Sequence, residues 1–155
     1  MSGKKHVFHF QRYTGSVTYD PAAAASSQVE MSIDAGSSVV MDDWIGDGNK
    51  KKVLDYAETD MLDVKNHPHI RFASSRVTNK PDGSFEVAGD LTIRGTARPV
   101  VVLVKMNEAG SNLRFTGTAR VDLKDYGIKP RSAFLFGTKS VIGIEFTLAA
   151  SRADQ

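Results

Sequence analysis

The groups in this chain that could do chemistry are its four histidines and a few paired carboxylates, and their spacing limits what that chemistry is. His6 and His9 stand three apart, while His67 and His69 flank Pro68. Neutral imidazole is a common metal ligand. Residues at i and i+2 of a strand share a face, so His67 and His69 would point the same way if that segment is extended; residues at i and i+3 point to opposite faces, which separates His6 from His9. No convergent carboxylate or thiolate accompanies either pair at a diagnostic spacing, so both read as surface or ladder histidines and no metal site is expected. Cysteine is absent, which excludes disulfides, thiolate nucleophiles and Cys-ligated metals and leaves the redox compartment open.

Asp42-Asp43 and the pair Asp60 and Asp63 offer carboxylates for acid-base work or cation binding. Between a strand and a helix, such groups serve more often as caps and solvated loop charges. Gly-x-Ser-x-Gly is absent, and Gly3-Lys4-Lys5 lacks both the preceding glycine spacing and the following Ser/Thr of a phosphate loop. No catalytic residue and no cofactor is expected, and the chain does not read as an enzyme.

What must position any site is a single β-rich domain. At 155 residues the chain fits one domain over 1–155, long enough to bury a core and to enclose a cavity in a closed sheet. Hydrophobic residues at 41% and charged residues at 25% are ordinary for a globular protein, and no apolar run approaches the roughly 20 residues of a membrane-spanning helix. Lys+Arg 20 against Asp+Glu 18 leaves a net charge of +2, with Lys50-Lys51-Lys52 the only basic cluster, so nucleic acid is not an expected partner. The start, Met1 to Phe10, has basic residues but no apolar stretch of about 7–15 residues, so no signal peptide is expected and the chain as written reads as cytoplasmic.

Alternation of apolar and polar residues dominates the chain. Leu113, Phe115, Gly117, Ala119, Val121 and Leu123 fall on one face of an extended run, and Arg114, Thr116, Thr118, Arg120 and Asp122 fall on the other. The same period appears in Val29/Met31/Ile33, Ile70/Phe72, Phe85 to Ile93 and Ile142 to Leu148, with a further strand at Val100 to Val104. Turns fall at Asp20-Pro21, Lys80 to Gly83, Gly95, Glu108 to Gly110 and Gly127 to Pro130, so neighbours are mostly antiparallel. With His6 to Tyr19 as one long or two bent strands, the count is about seven or eight, the number at which a barrel closes around side chains or one small ligand.

One helix is predicted over Asn49 to Leu62, with Val53, Leu54, Ala57 and Met61 on one face, Asp47 or Asn49 as cap, and Pro68 as the stop beyond it. It would lie across the barrel surface or one mouth, as cover or as lid. Large apolar residues are numerous, and they either pack against one another or line an elongated cavity. Small Gly117 and Ala119 on an inward face lean towards the cavity, as do the mouths of barrels as favoured ligand sites.

Two segments carry a family resemblance. Asp60-Met-Leu-Asp-Val-Lys-Asn-His-Pro-His-Ile-Arg-Phe-Ala-Ser74 and Gly89-Asp-Leu-Thr-Ile-Arg-Gly-Thr-Ala-Arg-Pro-Val100 together resemble the signature of the YceI-like family. Phe10 to Pro21 is similar to its Phe-x-x-x-x-Gly-x-Ile-x-Tyr-Asp-Pro strand and turn, and Asp125 to Pro130 and Val141 to Thr147 resemble its closing hairpin. The resemblance implies an all-β, antiparallel lipocalin-like barrel of about eight strands with one inserted amphipathic helix, enclosing a polyisoprenoid or similar lipid tail and carrying out no known chemistry. Relatives usually have a strand before the segment that aligns with Gly3 to His6. Its absence here would leave an unclosed seam, which implies either a homodimer paired across the exposed edges or missing N-terminal sequence. Many relatives look secreted or periplasmic, so a periplasmic location is the alternative if N-terminal sequence is missing.

On that resemblance the expected function is non-enzymatic binding or transport of a long-chain apolar ligand: a polyisoprenoid, an isoprenoid quinone or a fatty-acid-like lipid. Met31, Ile33, Phe72, Leu91, Ile93 and Phe115 would contact the tail from the inward faces, joined by Phe10 and by Leu54 of the helix. The polar head would sit near the loops holding Trp44 and Phe134-Leu-Phe136. The alternative is a structural or protein-interaction barrel whose core is filled by its own side chains and whose open edge recruits a partner strand.

Overall fold

The computed structural model describes residues 8–19, 22–23, 26–110, 112–129 and 141–151. Its elements in chain order are β1 (Phe8–Phe10), β2 (Tyr13–Thr18), β3 (Gln28–Asp34), β4 (Ser38–Val40), α1 (Asp47–Tyr56), β5 (His69–Asn79), β6 (Phe85–Ile93), β7 (Thr96–Ala109), β8 (Asn112–Asp122) and β9 (Val141–Ser151). Seven strands form one antiparallel sheet in the order β2-β3-β5-β6-β7-β8-β9, and β1 pairs with β4 in a small ribbon beside it. The sheet is curled into a half-barrel, and among the described residues its outermost strands are β2 and β9. Residues 1–7, on which the expected seam turns, lie outside the described residues.

Period-2 patterning decides which face turns inward. Phe85, Val87, Gly89, Leu91 and Ile93 of β6 are buried while their neighbours are less so, as alternation requires for a sheet with one dry face. On β8, Phe115, Gly117 and Val121 are buried, with Leu113 and Ala119 half-buried on the same face. Strand β5 departs from simple alternation. A register shift between Ser74 and Arg76 inserts one residue, so that exposed Arg76 turns out and Val77 turns in.

Turn chemistry sets the hairpins. Ile93 pairs with Thr96 across the two-residue turn Arg94-Gly95, where both residues have positive φ (52° and 75°), the geometry whose twist matches that of the flanking strands. Between β1 and β2 the chain bends at Gln11-Arg12 and is held there by Asp34. The Asp34 carboxylate accepts from Arg12 Nε at 2.9 Å and from the Gly36 backbone N–H at 2.9 Å, while the Arg12 backbone N–H donates to Ser37 Oγ at 3.1 Å.

The helix differs from its expected form. It starts at Asp47 behind Gly46, which is the N-cap and makes no side-chain capping bond, so neither Asp47 nor Asn49 has that role. After Tyr56 the backbone widens into a π turn over Ala57–Met61, in which the Leu62 N–H donates to the Ala57 carbonyl at 2.8 Å. None of α1 itself is fully buried; Ala57 at the start of the π turn is, and Met61 at its end packs onto the core together with Leu62 and Val64 beyond it. The cover over the barrel end is therefore the π turn and the segment after it, more than the helix.

Candidate functional site

The concave face of the sheet is the candidate site, and two apolar clusters occupy it. The first contains Ile70, Leu91, Ile93 and Val121 with Leu123, Tyr126 and Ile128. The second contains Val77, Phe85, Val87, Val102, Val104 and Phe115. Phe72 and Val100 pack against both and so stand at the junction between them.

The first cluster closes one end of the half-barrel. After β8 the chain makes a 3-10 turn over Leu123–Tyr126, then Gly127 at φ 71° reverses it so that the Ile128 N–H donates to the Leu123 carbonyl at 3.0 Å. This folds two side chains inward: Ile128 is 1% exposed, and the Tyr126 hydroxyl donates to the Leu91 carbonyl at 3.0 Å. Burial pushes the Tyr126 phenol above its ordinary pKa, with the neighbouring Asp125 carboxylate adding to the effect. Sequence reading placed Gly127 in a turn and overlooked Tyr126 and Ile128 as a plug. The available signal was a glycine between two large apolar residues immediately after a strand.

The two signature segments meet at the same end. His67 packs its ring onto the Arg94-Gly95 turn, where a β-carbon on Gly95 would stand 2.8 Å from His67 Cε1. His67 Nε2 is 4.0 Å from Asp63 Oδ2, and the Pro68 carbonyl accepts from the Ala35 N–H at 2.9 Å. His69 is exposed, opposite Asp34 in the β3–β5 ladder. His9 is exposed on β1, and His6 lies outside the described residues. Among the described residues no three His, Asp or Glu side chains cluster as metal ligands would, and no helix is long and apolar enough to cross a membrane.

Of the expected ligand-contacting residues, Leu91, Ile93 and Phe115 are buried in the two clusters, and Phe10, Ile33 and Phe72 are half-buried against them. Met31 is half-buried on β3 opposite Gly15, in neither cluster. Trp44 and Leu54 are also half-buried outside both clusters, Leu54 on α1 and Trp44 in the loop before it. Phe134 and Phe136 lie outside the described residues. The space beside Gly117 is not empty, because the ring of Phe146 occupies it. Ala119, two residues along, is half-buried.

The burial is graded. Central strands β6 to β8 carry most of the fully buried inward residues, whereas Val29, Met31 and Ile33 on β3 and Ile142, Ile144 and Phe146 on β9 are only half-buried. Large apolar side chains thus keep accessible surface on the two flanks of the concave face. The carboxylates whose environment shifts them stand apart from it: Asp34 and Asp82 are held low by bonds from Arg12 and Ser84, and Glu58 is raised by burial and by Asp55, whereas the raised Tyr126 phenol lies within the first cluster with its hydroxyl on the Leu91 carbonyl.

A curled antiparallel half-barrel with an apolar concave face and a plugged end is the lipocalin-like class of binding fold. The family model of the YceI-like domain matches residues 1–151, and the chain belongs to that family. Proteins of the family are generally binding proteins rather than enzymes. A UPF0312 protein of Vibrio cholerae is 29% identical over 142 residues, covering 88% of this chain and 69% of its own length. A UPF0312 protein of Pseudomonas putida is 29% identical over 126 residues, 77% of this chain and 62% of its own length. Among solved structures, BcnA of Burkholderia cenocepacia superposes with a TM-score of 0.79 at 27% identity, covering 93% of this chain and 87% of that one. The Campylobacter jejuni YceI protein superposes at 0.75 with 16% identity, covering 96% and 85%, and shares the fold.

Proposed function

We propose that this chain is a non-enzymatic carrier or sensor that holds a long-chain apolar ligand, a polyisoprenoid, an isoprenoid quinone or a fatty-acid-like lipid, against the concave face of the half-barrel. The observation that carries this reading is the graded burial. A self-filled core packs its inward side chains to crystal-like density, yet Met31, Ile33, Phe72, Ile142, Ile144 and Phe146 retain accessible surface. An apolar tail laid along them would remove that surface from water at roughly 25 cal/mol per Å². Nothing in the arrangement calls for chemistry on the ligand: apart from the hydroxyls of Tyr19 and Tyr126, the latter donating to the Leu91 carbonyl, the clustered side chains are apolar, and the shifted carboxylates stand elsewhere.

Native mass spectrometry of protein purified without detergent tests the proposal. The expected spectrum shows the chain plus a lipid-sized adduct that organic extraction removes. A spectrum at the bare chain mass, together with no uptake of added fatty acid or prenol, would sink it.

A second reading has one observation in its favour. Among the described residues β2 and β9 each pair with one strand only, which leaves ladder edges for a partner strand or a second copy. Light scattering separates the two: a stable dimer without bound lipid supports the interaction barrel, and a monomer that carries lipid supports the carrier.

A further inference from the structure

Gly117 is buried in β8, with Val104 beside it on β7 and Phe146 beside it on β9. A β-carbon on Gly117 would collide with Cζ and Cε1 of Phe146, so the ring lies on the sheet in the space a glycine leaves. Directly opposed β-carbons in a sheet are only about 4.5–5.5 Å apart, so a side chain at 117 would lift that ring off the wall and into the concave volume. Gly117 therefore makes room at one remove, by storing the Phe146 ring against the wall.

Phe85 lies on the same rung through Val104. Its ring meets that of Tyr19 edge-on, with centroids 5.4 Å apart and planes at 77°. Tyr19 directly follows β2 and Phe146 belongs to β9, the outermost strands, so the three rings reach across the sheet from one flank to the other. Along the strands from this level come Val87 and then Gly89 on β6, and Ala119 on β8 paired with Ile144 on β9. Gly89 in turn carries the Phe72 ring, whose Cζ lies 2.8 Å from where a β-carbon would stand. The two glycines sit at Val104 and Val100 of β7, which places the rings about 13 Å apart along the strand.

We propose that Phe146, folded onto Gly117, is a specificity-determining residue that sets the girth of the ligand tail. The collar of Tyr19, Phe85 and Phe146 admits a single alkyl or prenyl chain and rejects a fused-ring lipid. This rests on the carrier reading above and adds to it which lipids the channel takes.

The test follows the fluorescence of 11-(dansylamino)undecanoic acid bound to the wild type, Phe146→Ala, Gly117→Ala and the double variant, with palmitate, farnesol and cholesterol as competitors. Wild type is expected to release the probe to palmitate and farnesol and to retain it against cholesterol. In Phe146→Ala cholesterol becomes a competitor, and its apparent affinity relative to that of palmitate rises at least about tenfold, the scale at which pocket size discriminates. Gly117→Ala raises the ring and weakens probe binding by about tenfold, and removing the ring in the double variant restores it. An unchanged competitor order in Phe146→Ala, or a double variant that binds no better than Gly117→Ala, overturns the inference while leaving the carrier reading intact. A wild type that binds none of these molecules overturns both. If Gly117→Ala loses its cooperative melt, Phe146→Ala against wild type decides alone.

Discussion

Replacing Gly95 by alanine tests whether the two signature segments act as one structural unit. Gly95 has φ 75°, and an alanine there adopts a left-handed conformation that costs about 1–2 kcal/mol. A second cost comes from His67, because the new methyl would stand 2.8 Å from its Cε1 and 3.2 Å from its Nδ1. Forcing a group into an occupied space costs about 1–3 kcal/mol, and the half-buried ring can relieve part of it by rotating, so the lower part of that range applies. Gly95→Ala should therefore lose about 2–4 kcal/mol in a urea unfolding titration. In a His67→Ala background the steric part disappears and the conformational part remains, so the same substitution should cost only about 1–2 kcal/mol. The four-protein cycle should thus show a coupling of about 1 kcal/mol or more. Costs that add within about 0.5 kcal/mol would refute the argument that His67 is held against the turn.

Further predictions concern the plug and the carboxylates. Ile128→Ala should cost about 2–5 kcal/mol, because the residue is 1% exposed in the closed end, and an unfolding free energy changed by much less would show that the plug collapses freely. The Tyr126 phenol is raised in the fold, so its stabilising effect is complete below the unfolded value near 10.0 and is lost as pH rises beyond it. Tyr126→Phe should show a flatter alkaline limb in melts between pH 9 and 11, and a limb identical to wild type would contradict the burial argument. The Glu58 carboxyl is also raised, so it favours the fold below its ordinary 4.5 and loses that contribution as pH rises through the folded value. Glu58→Gln should melt higher than wild type at pH 7 and close to it at pH 3. Asp34 has the opposite sign: it is held low by Arg12 and Gly36, so its contribution is present above the ordinary 3.8 and disappears as pH falls through the lower folded value. Asp34→Asn should weaken the acid dependence of the melting temperature, and an unchanged acid limb would remove Asp34 from that account.

Local rules made the strands and hairpins legible in the sequence. Alternation identified the inward faces of β3, β6 and β8, and Gly95 marked the turn between β6 and β7, because a period of two and a positive φ are properties of a few consecutive residues. The quoted motifs sufficed for the family, since they lie in segments whose side chains are dictated by the sheet. The helix was located but its cap and its π turn were not, because a widened turn leaves the apolar spacing of Val53, Leu54, Ala57 and Met61 nearly unchanged.

The site depended on contacts between residues far apart in the chain. Phe72 lies on Gly89 and Phe146 on Gly117 through strand pairing, and His67 meets Gly95 only when the segment before β5 reaches the β6–β7 turn. The bulge at Ser74/Arg76, which turns Val77 inward, has no local marker in the composition of β5. Sequence alone determined that an apolar, one-faced antiparallel sheet of this family would form, because facing is set residue by residue. Tertiary structure decided how the faces meet: Tyr126 and Ile128 seal one end, Phe146 fills the space that Gly117 leaves, and the flanks on β3 and β9 keep apolar surface exposed. Those outcomes depend on sheet curvature and long-range packing, which no short stretch of residues encodes by itself.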